Sequence, residues 1–357
     1  MTKISFLTPG PSELYYTVPD HLKTALRDHV TEISHRGKAF QQIFAHATAQ
    51  LRELMAIPDH FHIGFTSSAT EIWERVIENL CETHSFHLVN GSFSKKFHEF
   101  AVQLKRQAVK YEVAPGLGFA LDQLVVPAET ELICLTQNET STGVMMPLSD
   151  IYALRQQHPD KLIVVDAVSS APYPDLDFSR IDSLFFSVQK CFGLPAGLGV
   201  WIFNDRCVAK AESMLAKGLS IGTYHTIPAL VSNGQKNETP ETPNMLGIYL
   251  LGKVAEDLNR RGIKAIRQET DYKAALLYAT LAKQPGYEIA VQQAAHRSKT
   301  VIVANLVGQS SADFIAKCKL HGIVPGAGYG PFKNSQIRIA NFPTHSREVF
   351  EKLVDLI

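Results

Sequence analysis

The sequence predicts an α/β protein: a mostly parallel sheet first, then a smaller α/β unit. Three observations carry this. Short apolar runs alternate with stretches of helical period between residues 87 and 203. LIVVDAV at 162–168 is continuously apolar before and after its aspartate, as a strand buried on both faces should be. The pattern then dissolves from Gly218 to Asn244 and resumes as a second, shorter series.

Taken in order, FTSSATEIWERVIENL reads as small residues opening a helix, with Ile72, Val76, Ile77 and Leu80 as its apolar stripe. HLVN at 87–90 is a strand. The helix after it carries Phe97, Phe100, Ala101 and Leu104 at helical spacing. ELICLTQ at 131–137 is the next strand, and a helix starts at Leu148. SLFFSV at 183–188 and GVWIF at 199–203 follow closely, and the link between these two is too short for a full helical crossover, so one strand is expected to run antiparallel. MLGIYLLGKVAEDLNRRG is a strong helix ended by Gly262. VIVANLV at 301–307, QIRIANF at 336–342 and a closing helix, SREVFEKLVDLI, complete the smaller unit. The expected division is a large domain over 1–250 and a small one over 251–357, with the N-terminal segment free to pack on the small domain.

Composition excludes several classes. Thirty-five basic residues balance thirty-five acidic ones, so neither nucleic acid nor an anionic membrane is an expected partner. Cys81, Cys134, Cys191, Cys207 and Cys318 are odd in number and lack a C-x-x-C, which argues against a disulfide framework or zinc module. Histidines 60, 62, 84 and 87 lack cysteine or carboxylate companions for a metal site. The N-terminus shows no secretory h-region and no apolar run approaches the ~18 residues of a membrane span. The expectation is a soluble, cytoplasmic protein, and the N-E-T triplets at Asn138 and Asn237 are discounted as glycosylation sites.

One lysine interrupts the apolar, glycine-rich run FFSVQKCFGLPAGLGV. Burying an ammonium is costly, and lysines in such places lose their proton readily. Asp166 closes a buried strand and needs a partner for the same reason. Each has an ordinary reading, a snorkelling lysine and a strand-end aspartate. Both, however, follow strands of one sheet, and such sheets bind ligands beyond the carboxyl ends of their strands. A pyridoxal phosphate enzyme needs this pair: a lysine for the cofactor's aldehyde and an acid for its ring nitrogen. The cluster Thr66, Ser67, Ser68, Ala69, Thr70 at a helix N-terminus suits the cofactor's phosphate. Phe93, after a strand and a glycine, is placed to cover the ring.

These residues resemble the class V, fold-type I aminotransferases. The shared stretches are EISHRGKAF (32–40), QNETSTG (137–143), VVDAVSS (164–170), SVQKCFG (187–193) and TPNMLGIYLLG (242–252). The resemblance implies a large domain with a mostly parallel, seven-stranded sheet and pyridoxal 5′-phosphate as cofactor. By position it implies Lys190 as the Schiff-base lysine and Asp166 as the ring-nitrogen partner. It puts Thr140 on the ring's phenolic oxygen and Phe93 on its face. Gln189, Ser68, Ala69 and Thr70 fall at the phosphate. Thr242 would reach that phosphate from a neighbouring subunit, which implies a homodimer with shared sites. Arg338 would hold the substrate α-carboxylate, and His35 and Arg36 its distal anionic group. The reaction implied passes an amino group from glutamate to 3-phosphohydroxypyruvate, a step of serine biosynthesis. The runner-up is the branch that handles unphosphorylated substrates, of alanine–glyoxylate or serine–pyruvate type.

Three departures bear on the substrate. Thr70 stands where the family's loop usually has arginine, Glu241 replaces the asparagine before Thr242, and LTPGP at 7–11 is nearer the unphosphorylated branch. Other readings are weaker. GLSIG at 218–222 fits the G-x-S-x-G elbow of serine hydrolases but follows a helical stretch where a strand is required. GAGYG at 326–330 lacks the third glycine of a dinucleotide fingerprint. Cys318 falls at a helix end rather than on a mobile loop, against a desulfurase.

Overall fold

The computed structural model describes residues 4–357. In chain order the first strands are β1 (Ser5–Leu7), β2 (Phe61–Thr66), β3 (His84–Val89), β4 (Gln107–Glu112), β5 (Leu132–Thr136), β6 (Asn138–Glu139) and β7 (Val144–Met145). There follow β8 (Leu162–Asp166), β9 (Ser183–Ser187), β10 (Gly199–Asn204), β11 (Tyr287–Ile289), β12 (Val301–Leu306), β13 (Ile323–Ala327) and β14 (Gln336–Ala340). The helices are α1 (Val18–Arg27), α2 (Lys38–Met55), α3 (Ala69–Leu80), α4 (Ser92–Gln103), α5 (Leu148–Gln157) and α6 (Asp205–Ala216). They continue as α7 (Ile227–Gly234), α8 (Met245–Arg261), α9 (Ile263–Leu281), α10 (Ser311–Leu320) and α11 (Arg347–Val354).

A seven-stranded sheet in the order β2-β10-β9-β8-β5-β3-β4 forms the large unit. Strands β9, β8, β5, β3 and β4 are mutually parallel, and β10 runs antiparallel to both β9 and β2. The short link before GVWIF therefore does what its length dictates. Every residue of β5, β8, β9 and β10 is buried, because helices cover both faces. The small unit is a five-stranded sheet, β1-β13-β14-β12-β11, into which the N-terminal β1 inserts beside β13.

The expected division at residue 250 falls inside α8. Asn244 caps that helix, accepting from the Gly247 N–H at 2.9 Å, and Gly262 ends it at φ +84°. Its stripe of Ile248, Leu251, Val254, Ala255 and Leu258 is fully buried in the core of the large unit. Burial of one such leucine contributes about 1.5–3 kcal/mol. The stretch from Gly218 to Asn244, which lacks long-range period, contains the eight-residue α7. Thr226 caps it and Pro228 lies in its first turn, a start signal too short to register as periodicity. Ser220 of GLSIG follows α6 and not a strand, so no nucleophile elbow forms.

Candidate active site

Asp166, Thr136 and Ser187 are the last residues of β8, β5 and β9, so all three sit at one edge of the sheet. Lys190 follows three residues beyond β9 and Phe93 four beyond β3. They surround a cavity of about 190 Å³, which Asp166, Lys190, Ala69, Thr70, Phe93, Thr140 and Gln189 all line. The pair singled out from sequence thus faces one space from one side of the sheet.

Asp166 is 2 % exposed. Its Oδ1 accepts from the Val168 N–H at 2.9 Å and its Oδ2 from Trp73 Nε1 at 2.9 Å. Burial raises its pKa, and these two donors and Lys190 pull back, leaving it at about 6. Lys190 donates from Nζ to the Pro9 carbonyl at 2.9 Å. Burial lowers its pKa to about 8 against the attraction of Asp166. A lysine amine near neutrality is a nucleophile and a proton carrier at ordinary pH. Gly10 makes this approach possible: a Cβ there would lie 2.8 Å from Lys190 Cε, and its φ of +131° disfavours other residues.

The α3 N-terminus borders the same cavity. Ser68 is its N-cap, accepting from the Glu71 N–H at 3.1 Å, so its hydroxyl serves the helix rather than lining the cavity. Ala69 N–H donates to Ser187 Oγ at 2.8 Å, which seats the helix on β9. Opposite, Glu139 is fully buried and accepts from Ser94 N at 2.9 Å, Ser94 Oγ at 2.8 Å and Ser141 Oγ at 2.6 Å. That carboxylate joins the 137–143 turn to the α4 N-terminus and fixes Thr140 relative to Phe93. Gly91 admits it, since a Cβ there would come 2.4 Å from Glu139 Cγ.

An aromatic–cation row runs outward from Phe93; its other members, Tyr329 and Arg338, do not themselves line the cavity. The Phe93 ring lies 5.5 Å from Lys190 Nζ and 5.1 Å from the Tyr329 ring, and Arg338 Cζ lies 5.2 Å from Tyr329. Arg338 spends Nε on the Ala327 carbonyl at 2.8 Å and Nη1 on the Thr140 carbonyl at 3.4 Å. His35, Arg36 and Thr242 do not line this cavity within the chain. Arg36 instead grips the loop after α7: Glu238 Oε2 at 2.8 Å, Thr239 O at 2.7 Å and Pro240 O at 3.2 Å. Thr242 is exposed on that same loop.

Trp73, Tyr329 and Gly10 are site residues that the sequence reading missed. Trp73 looks like one more member of an amphipathic stripe, and only the fold reveals that its indole N–H meets Asp166. The chemistry of the donor set fits pyridoxal 5′-phosphate. A buried lysine and a buried carboxylate line one cavity, an aromatic face covers it, and a helix N-terminus opens on it. Two buried oxygens of lining residues, Thr136 Oγ1 and Gln189 Oε1, have no hydrogen-bond partner among the described residues and are open to a ligand.

Fold and site together define a pyridoxal-phosphate-dependent transaminase. Residues 6–330 match the family described as aminotransferase class-V, and the chain belongs to that family. It is similar to the phosphoserine aminotransferase SerC of Cytophaga hutchinsonii, whose crystal structure aligns at 50% identity and TM-score 0.98 over 100% of this chain and 98% of that one. Phosphoserine aminotransferase of Nocardioides sp. is 26% identical over 94% of this chain and 89% of its own. The phosphoserine aminotransferase of Bacillus circulans subsp. alkalophilus shares the fold at TM-score 0.82 and 20% identity, covering 100% of this chain and 98% of that one. The unphosphorylated-substrate alternative is not favoured by these relatives. No helix among the described residues is long and apolar enough to cross a membrane.

Proposed function

We propose that the chain transfers the amino group between phosphoserine and 2-oxoglutarate, as a cytoplasmic homodimer with shared sites. The observation that carries the chemistry is Lys190 and Asp166 on one cavity at the sheet's carboxyl edge. The substrate reading is supported by a 50%-identical relative named phosphoserine aminotransferase.

Pyridoxal 5′-phosphate, when bound, supplies the electron sink that lets an amino acid shed its α-proton. Lys190 would hold the cofactor through Nζ and, once released from it, carry the proton away from the substrate Cα and return it on the product side. Its low pKa leaves the amine free to accept that proton. Asp166 would pair with the ring nitrogen, and Trp73 and Val168 orient the carboxylate for that contact. Phe93 would cover the ring and Thr140 bond its phenolic oxygen. Ala69, Thr70 and Gln189 would hold the phosphate, with Ser68 shaping the turn and Thr242 reaching in from a second copy. Arg338 would take the α-carboxylate in its planar fork. His35 and Arg36 would receive the distal anion.

A panel of amino acids watched by the bound cofactor's visible absorbance tests this. Glutamate and phosphoserine should bleach it, and alanine and serine should not. Bleaching by alanine or serine and not by phosphoserine overturns the substrate assignment.

A further inference from the structure

One buried histidine joins the loop bearing Thr242 to the N-terminus of α3. His225 is 3 % exposed in its side chain; its Nδ1 bonds Glu71 Oε1 and its Nε2 lies 2.9 Å from Glu241 Oε2. A carboxylate thus flanks each ring nitrogen, Glu71 as a hydrogen-bond partner and Glu241 as an ion-pair contact, and the two together favour the doubly protonated, cationic ring. Glu71 also accepts from Ser67 N at 2.9 Å and Ser67 Oγ at 2.6 Å. Ser67 leads into Ala69 and Thr70, which line the Lys190 cavity. On the other side Glu241 precedes Thr242. Ser67, His225, Glu241 and Thr242 together border a second cavity of about 160 Å³.

The surrounding charges are few. From α3, Arg75 lies 3.8 Å from Glu71 and is itself engaged by Glu74 at 3.4 Å and Glu78 at 2.5 Å. Tyr224 donates to Glu71 Oε1 at 3.4 Å. Helix α7, which follows, carries no ionisable side chain, and Glu238 of the loop is engaged by Arg36. Burial works against a charged ring, but the two carboxylates outweigh it and lift the pKa of His225 to about 9. Glu71 is held at about 2 despite burial, by His225 and Ser67.

We propose that His225, clamped between Glu71 and Glu241, is a positioning residue for the cofactor-phosphate site. It fixes the Thr242 loop against the first turn of α3 and neutralises the carboxylate that replaces the family's asparagine. The proposal rests on the pyridoxal phosphate reading of the Lys190 cavity. The raised pKa gives a sign: the clamp is complete below the free-histidine value and is lost as pH rises through about 9.

The test compares the dissociation constant for pyridoxal 5′-phosphate of the full-length protein and its His225→Gln variant from pH 7 to 10. Taking the ratio cancels every group that titrates alike in both. Loss of a charge-assisted bond should weaken binding by about tenfold at pH 7. The ratio should then fall towards one above pH 9, where the wild type has lost the same charge. A ratio within about twofold of one at pH 7, or one that does not change with pH, overturns the proposal. Should His225→Gln fail to fold, Glu241→Gln carries the test. Removing one of the two carboxylates should move the alkaline loss of cofactor to lower pH, and an unmoved midpoint overturns the proposal. Wild type that never acquires visible absorbance instead fails the cofactor reading, and this proposal falls with it.

Discussion

Trp73→Phe isolates the least expected contact of the site. Phenylalanine keeps the ring that stacks on Phe97 at 6.0 Å but removes the indole N–H that Asp166 Oδ2 accepts at 2.9 Å. A hydrogen bond to a charged group contributes about 1.5–3 kcal/mol. One pKa unit corresponds to about 1.4 kcal/mol. The Asp166 carboxyl, at about 6, should therefore rise by about one to two units in the variant. The sign follows from linkage. A carboxyl whose folded pKa exceeds its unfolded value binds protons more tightly in the fold, so stability falls as pH rises between the two values. In the variant that fall should extend towards neutrality. Urea unfolding of the cofactor-free protein reads it directly. The stability difference between wild type and Trp73→Phe should widen by about 1.4–2.8 kcal/mol between pH 5 and pH 8. A difference constant over that range would refute the idea that Trp73 favours the ionised carboxylate.

Three further outcomes follow from the geometry. Arg338→Ala should raise KM for glutamate and phosphoserine alike by about a hundredfold, since it removes the fork proposed to hold the α-carboxylate; a loss confined to the phosphorylated substrate would contradict that proposal. The rate at which cofactor-free protein captures pyridoxal 5′-phosphate should climb as pH approaches about 8 and level above it, because the neutral Lys190 amine is the reactive form; a rate still climbing steeply near pH 10 would mean that burial has not lowered that pKa. Arg36→Ala frees the 238–240 carbonyls and carboxylate, so trypsin should cut after Lys236 faster than in wild type; an unchanged rate would mean that this arginine does not hold the loop.

What could be read beforehand was whatever leaves a local trace. An aspartate ending a continuous apolar strand and a lysine inside a glycine-rich apolar run announce themselves, because each is costly where it stands. The antiparallel β10 was legible from the shortness of its link. Contacts between distant segments left none. Trp73 lies ninety-three residues from Asp166 and reads as a core side chain. Glu241 stood out as a misplaced charge, yet its partner His225 sits in a stretch with no period at all. Ser68 belonged to a suggestive cluster of small residues, and sequence does not distinguish a hydroxyl that caps its helix from one that faces a ligand.

The claim on which the rest depends is that Lys190, and no other amine, receives the cofactor. Lys273 is the fair competitor: it is also buried, and burial also lowers its pKa to about 8. Its Nζ, however, is committed to the His345 carbonyl at 2.7 Å and the Phe342 carbonyl at 3.3 Å, outside the cavity at the sheet edge. Borohydride reduction of the holo-protein followed by peptide mapping decides between them. The pyridoxyl label should be found on the peptide containing Lys190; label on Lys273, or scattered over surface lysines, would contradict the account.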